Sequence, residues 1–252
     1  MRLLAALSPL ERRPCPNLKL IFRPTRGTVR WPRTFSALRH ENYRLWFAGQ
    51  LVSLVGSWMQ TTAQGYLIYE LTKSPAYLGY VGFAAGLPTW VFTLYGGVIA
   101  DRIPRRTLII LAQSMMMALA FILAALVFTG NVQPWHILVM AFFLGIANSF
   151  DAPARQAFVV ELVGREDMTN AIAINSMMFN GAVVVGPAAA GIAYAKLGPA
   201  WCFMLNGFSY LAVIGALLLM KLTAQKRVSV NTSALLELKE GLQYTLNTGV
   251  IR

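Results

Sequence analysis

Long apolar stretches alternate with short polar or charged breaks along this chain, and the breaks delimit the elements. Apolar runs cover residues 45–71, 76–100, 107–128, 170–195 and 200–220, and another covers 135–149 and continues as a polar-interrupted helix to about 163. An α-helix needs about 20 residues to cross a bilayer. Hydrocarbon offers backbone groups no hydrogen bonds, so runs of this length read as helices. The pattern predicts an all-α fold: a polytopic membrane protein with six transmembrane helices over residues 41–220. The turns are Thr72-Lys73-Ser74-Pro75, the charged loop after residue 100, Gly130-Asn131-Val132-Gln133-Pro134, Gly164-Arg165-Glu166-Asp167 and Lys196-Leu197-Gly198-Pro199. Pro104 suits the opening turn of the third helix, and Asp167 or Thr169 is placed to cap the fifth.

Polar positions inside the runs carry the functional signal. In the first span Gln50, Ser53, Ser57, Gln60, Thr61 and Gln64 recur every three or four residues, which puts them along one side of a helix. Two readings follow: the side lines an aqueous substrate cavity, or it makes interhelical hydrogen bonds worth about 0.6 to 2 kcal/mol each. Asn148 in the fourth span and Asn175 in the fifth are further cavity candidates. Asp151 and Arg155, four residues apart, can pair across one helical turn, either at the membrane boundary or as a charge pair used in transport. Gly186, Pro187 and Gly191 predict a kinked fifth helix packed tightly on a neighbour. The third span, uniformly apolar with Met115-Met116-Met117, reads as peripheral and lipid-facing.

Composition agrees with a membrane protein: 56% of the 252 residues are hydrophobic and only 13% charged. The formal net charge of +12 would suggest nucleic acid if it lay on one soluble face, but topology accounts for it. An even number of spans leaves both ends on one side. That side would carry nineteen Lys or Arg: ten through Arg44, Arg102, Arg105, Arg106, Arg165 and five after Met220. The other would carry Lys73 and Lys196. The positive-inside rule then places both termini in the cytoplasm, and no nucleic-acid partner is needed. Cys15 and Cys202 lie far apart and support neither a disulfide framework nor a metal site. His-Glu-x-x-His, Gly-x-Ser-x-Gly and phosphate-cradling patterns are absent, so the sequence offers no enzyme signature. No cofactor is expected.

Residues 1–40 form a basic, proline-broken tail, read as a disordered cytosolic segment that contacts anionic lipid, with an organellar leader or an upstream misassigned start as alternatives. Residues 221–252 read as a cytoplasmic linker with an amphipathic piece through Leu235, Leu236, Leu238, Leu242 and Leu246.

The break at Gly97-Val98-Ile99-Ala100-Asp101-Arg102-Ile103-Pro104-Arg105-Arg106 is the most charged in the chain. An unpaired charge in hydrocarbon costs from about 3 to more than 10 kcal/mol, so this segment marks a membrane surface. Its spacing resembles the Gly-x-x-x-Asp-Arg-x-x-Arg-Arg loop between the second and third helices of major facilitator superfamily transporters, with Pro104 where the family usually has glycine. Asn42-Tyr43-Arg44-Leu45-Trp46-Phe47-Ala48-Gly49-Gln50, Phe150-Asp151-Ala152-Pro153-Ala154-Arg155-Gln156-Ala157 and Gly186-Pro187 extend the likeness. From about Phe35 onward the chain resembles the enterobactin-exporter-like, or transmembrane secretion effector, branch of that superfamily. The resemblance implies the N-terminal half of a twelve-helix secondary transporter exporting a small amphiphilic molecule, such as a drug or siderophore, by alternating access. It implies proton antiport as the energy source, and Gly97, Asp101, Arg102, Arg105 and Arg106 as a gate working against a C-terminal half or a second chain. Ala141 stands where many proton-coupled relatives have arginine, and the first helix lacks a membrane-centre acid. The alternative is a truncated or non-transporting membrane subunit that binds a partner half.

Overall fold

The computed structural model describes residues 33–221. Among these the chain forms six long α-helices preceded by a short 3-10 helix, Arg33–Arg39, and no strand. The helices are α1 (Glu41–Thr72), α2 (Ala76–Arg102), α3 (Arg105–Phe128), α4 (Pro134–Leu162), α5 (Met168–Leu197) and α6 (Pro199–Leu219). A helix occupies each of the six segments where the sequence predicts one. The 3-10 helix changes one boundary, because residues 33–40 are folded where the sequence reads as tail. The rest of that tail and the amphipathic piece after Lys221 lie outside the described residues.

The connections are as short as the breaks suggested, and their chemistry explains the stops. After α1, Lys73 takes a left-handed conformation (φ 52°) and donates its N–H to the Tyr69 carbonyl at 2.8 Å. After α3, Gly130 (φ 70°) donates to Val127 and Asn131 donates to Leu126. This is the paired closure that left-handed glycine makes possible at a helix C-terminus. Pro134 and Pro199 occupy first-turn positions of α4 and α6, where the missing N–H has no partner to lose. Gly198, at φ 88°, joins α5 directly to α6.

Short connections make sequential helices antiparallel, yet the strongest packing is not sequential. α1 lies between α5 and α6, α3 bridges α6 and α4, and α2 lies along α4. Outward faces remain apolar: Trp90, Val184, Phe83, Leu111 and Leu219 are each at least two-thirds exposed. Exposed apolar side chains in this number suit lipid rather than water. By length and composition α3, α4, α5 and α6 qualify as membrane spans. α1 is long enough, and its polar stripe lowers its hydropathy.

Two corrections concern α3 and the start of α5. α3 was expected to face lipid, but only one side does. Leu111 is exposed while Ile109, Gln113, Met116 and Ala120 are buried. Met116 packs with Ala120, Ala147 and Tyr210, and Met115 and Met117 flank the cluster, so the methionines do serve as soft packing. Asp167 occupies the cap position of α5 without making a side-chain cap bond; its carboxylate is used elsewhere, as described below.

The interior is layered along the helix axes. At the end where α1 starts, Tyr43, Trp46, Ile109, Phe158, Val213 and Leu217 form one apolar cluster. At the opposite end Met59, Ala63, Ile68, Leu123, Ile137 and Phe203 form another. Gln50, Ser53, Gln113, Asp151, Asn206 and Ser209 are buried polar residues in this bundle. Buried polar groups are costly without partners, so the positions of those side chains decide what the bundle can do.

Candidate functional site

Gln50, Ser53, Ser57 and Thr61 of α1 line a cavity of about 230 Å³ together with Gln113, Asn148, Asp151, Arg155 and Tyr210. Trp58 and Phe179 form an edge-to-face pair on its wall, with centroids 5.8 Å apart. A second cavity, of about 350 Å³, opens between α4 and α5 and is lined by Gln156, Asn175, Ser176 and Asn180. Leu54, Arg155 and Phe179 belong to both linings.

The polar stripe of α1 therefore divides between the two readings that its spacing allowed. Gln60 and Gln64 are buried and line neither cavity. At 100° per residue, Gln60 is rotated about 60° from Ser57 toward the side that carries Gly49 and Gly56. That side meets α6: a Cβ on Gly49 would lie 2.8 Å from the Ala212 carbonyl oxygen, and one on Gly56 would lie 2.5 Å from Asn206 Oδ1. Asn206 Nδ2 donates to Gln60 Oε1 at 2.6 Å and to the Tyr210 hydroxyl at 3.2 Å. Ser209 donates to Asn206 Oδ1 at 2.9 Å. Gln60 thus packs against α6 and lies outside these two cavities, and Gln64 sits one turn beyond it. Asn175 lines the second cavity rather than the first.

Asp151 and Arg155 pair as their spacing predicted, Oδ2 to Nε at 2.9 Å. Their setting is the bundle interior. The Asp151 side chain is 1% exposed, and Gln113 Nε2 of α3 donates to its Oδ1 at 3.1 Å. A buried carboxylate needs this double satisfaction, since a buried pair is tolerated only with good geometry and further hydrogen bonds. Gln113 and Asn206 escaped the sequence reading. Each is a lone amide in an otherwise apolar run, and that isolation was the available signal.

The charged loop is tight, with only Ile103 and Pro104 between α2 and α3. Gly97 and Asp101 and Arg102 fall in the last turns of α2; the side chains of Asp101 and Arg102 lie outside the described residues. Arg105 Nη1 pairs with Glu161 Oε1 at 2.9 Å and donates to the Ala157 carbonyl at 2.9 Å, fastening α3 to the end of α4. Arg106 Nη2 donates to the Leu218 carbonyl at 3.3 Å. Arg105 and Arg106 thus bind the bundle's own end.

A second fastening lies at the same end. Asp167 accepts from Arg39 and from His40, each at 2.9 Å on Oδ2, and the Ala37 N–H donates to Asn170 Oδ1 at 3.1 Å. The Tyr43 hydroxyl donates to the Ala171 carbonyl at 3.0 Å. The Ser36 hydroxyl, His40 and Arg39 together hold the Asp167 carboxyl below the usual carboxylate range. This clasp was not read from the sequence, because its partners are separated by more than 120 residues.

In α5 helical structure continues through Pro187. Gly186 is where α5 meets α1: an added Cβ would collide with the Trp58 side chain and lie 3.1 Å from the Met59 nitrogen. Gly191 faces open space, so close packing rests on Gly186 alone of the two. Among the described residues no three His, Cys, Asp or Glu side chains come together as metal ligands.

Helices α1, α3, α4, α5 and α6 line polar cavities behind exposed apolar faces, the layout of a polytopic membrane bundle. The transmembrane secretion effector family, within the major facilitator superfamily of transporters, matches residues 32–252, and the chain belongs to it. It is similar to the macrolide efflux protein A of Streptococcus pyogenes, 27% identical over 208 residues that make up 79% of this chain and 50% of the relative. It is 23% identical to the staphyloferrin A transporter of Staphylococcus aureus over 68% of this chain and 43% of the relative. It is 29% identical to the enterobactin exporter of Citrobacter koseri over 68% of this chain and 41% of the relative. The chain spans about half the length of the curated relatives it matches.

Proposed function

We propose that this chain forms the N-terminal six-helix half of a secondary-active exporter that moves small amphiphilic molecules by alternating access, driven by proton antiport. The observation that carries the reading is the buried Asp151–Arg155 pair on the wall of a polar cavity, within a chain that belongs to a transporter family. An ionisable group held inside a membrane bundle is costly and marks a substrate or proton path. Asp151 is the acid among the residues lining the two cavities and is the candidate for protonation, which meets the lack of a membrane-centre acid in α1. Trp58 and Phe179 offer the apolar side of the cavity, and Gln50, Ser53, Ser57 and Asn148 the polar side.

The basic residues around the described chain ends favour both termini in the cytoplasm of a bacterial inner membrane. In that orientation Gly97 to Arg106 lies at the cytoplasmic face, and Asp101 is the group that meets the second half. A charge network there biases the equilibrium between inward-open and outward-open states.

Two experiments test the reading. Extending the native coding sequence past the codon for Arg252 should reveal about six further apolar spans or an adjacent gene that encodes them; a stop codon with no such neighbour would favour a partner-binding subunit. Vesicles holding the native gene product should show dye flux that follows an imposed pH gradient. Flux independent of that gradient would remove proton antiport.

A further inference from the structure

Arg155 has more hydrogen-bonding capacity than its known partner uses. Guanidinium presents five N–H donors in a planar fork and stays charged at any physiological pH. Asp151 engages the Nε edge, and neither Nη nitrogen has a partner among the described residues. The side chain is 24% exposed, and it lines both cavities. On the second-cavity side the neighbouring groups are neutral. Gln156 and Asn175 have amides with no partner among the described residues, whereas Ser176 and Asn180 donate to the backbone of their own helix. No acid lines that cavity.

We propose that the Nη edge of Arg155, with the amides of Gln156 and Asn175, is a binding site for a carboxylate group on the transported molecule. The fork and the planar carboxylate match in geometry, so two parallel N–H···O bonds form on the face that Asp151 leaves open. The apolar part of the ligand then rests on Phe179 and Leu54, which border both cavities. Gln113 matters indirectly, as a positioning residue. By donating to Asp151 Oδ1 it holds the carboxylate on Nε and keeps the Nη edge turned outward. The proposal names the ligand class of the cavity described above and so rests on the transport reading.

The test is equilibrium binding of 1-naphthylacetate and of its uncharged counterpart 1-naphthylacetamide to the purified full chain in lipid nanodiscs. Hydrogen bonds to a charged group are worth about 1.5 to 3 kcal/mol, so the carboxylate should bind about 10- to 100-fold more tightly. The paired variant Asp151→Asn/Arg155→Gln, which leaves no lone buried charge, should bring the two probes within about twofold. Asn175→Leu, which leaves the ion pair intact, should weaken the carboxylate several-fold and the amide little. Equal binding of the two probes to the unaltered chain, or a preference that survives the paired variant, overturns the site. Naphthylacetate preference without gradient-driven flux of any dye would leave the site standing and sink the transport reading. Flux without the preference would do the reverse.

Discussion

Asn206 on α6 donates to Gln60 on α1 across 2.6 Å, and both residues are at most 5% exposed. This contact separates packing from cavity within a stripe whose spacing alone treats its members alike. Gln60→Leu leaves a buried amide short of a partner, which costs about 1 to 3 kcal/mol. The variant should lose thermal stability while its substrate profile stays unchanged. An altered profile at normal stability would return Gln60 to the cavity.

For the Asp151–Arg155 pair the order of damage among variants is the prediction. Removing one member of a buried pair costs about 3 to 5 kcal/mol because the other charge is stranded, while removing both is far milder. Asp151→Asn and Arg155→Gln should each lower the unfolding midpoint more than the paired variant does. A thermal unfolding series in detergent reads this directly, and additive losses would show that the two side chains do not interact.

Glycines on the two faces of α5 should behave oppositely. Gly186→Ala forces a Cβ against Trp58 and Met59, and overpacking of this kind costs about 1 to 3 kcal/mol. Gly191→Ala meets nothing within 4 Å and should be neutral or slightly stabilising through helix propensity. Similar unfolding midpoints for both variants would contradict the close approach of α5 to α1.

The clasp at Asp167 has a defined pH dependence. Its carboxyl titrates lower in the folded chain than in the unfolded one, so the folded state binds fewer protons. Its contribution is therefore complete above the ordinary carboxylate value of about 4 and fades as pH falls through the lower folded value. Hydrogen exchange of the Ala37 amide, bonded to Asn170 Oδ1, should report it. Protection should hold as far as Asp167 is concerned from neutral pH down to about 5, and Asp167→Asn should lower it at neutral pH. Unchanged protection in that variant would show that the 3-10 helix is held without the clasp.

The sequence was most legible where one physical constraint acted alone. Bilayer thickness and backbone hydrogen bonding delimited six helices, and Asp151 with Arg155 declared itself through a four-residue spacing. Legibility failed where long-range geometry chose among equivalent positions. Gln60 and Ser57 share a stripe, but a rotation of about 60° sends one to α6 and the other to the cavity. Gln113 lay hidden in the most apolar span because an isolated amide carries no period. The partners of Asp167 lie in another part of the chain, and the local rule for a helix cap pointed to the wrong use of its carboxylate.

The measurement closest to the central claim is gradient-driven dye flux in vesicles holding the native gene product, with and without Asp151→Asn. Ethidium and carboxyfluorescein serve as cationic and anionic amphiphiles. Flux of at least one dye should follow the imposed pH gradient and be lost in the variant when measured per amount of inserted protein. Full gradient-dependent flux in the variant would contradict it.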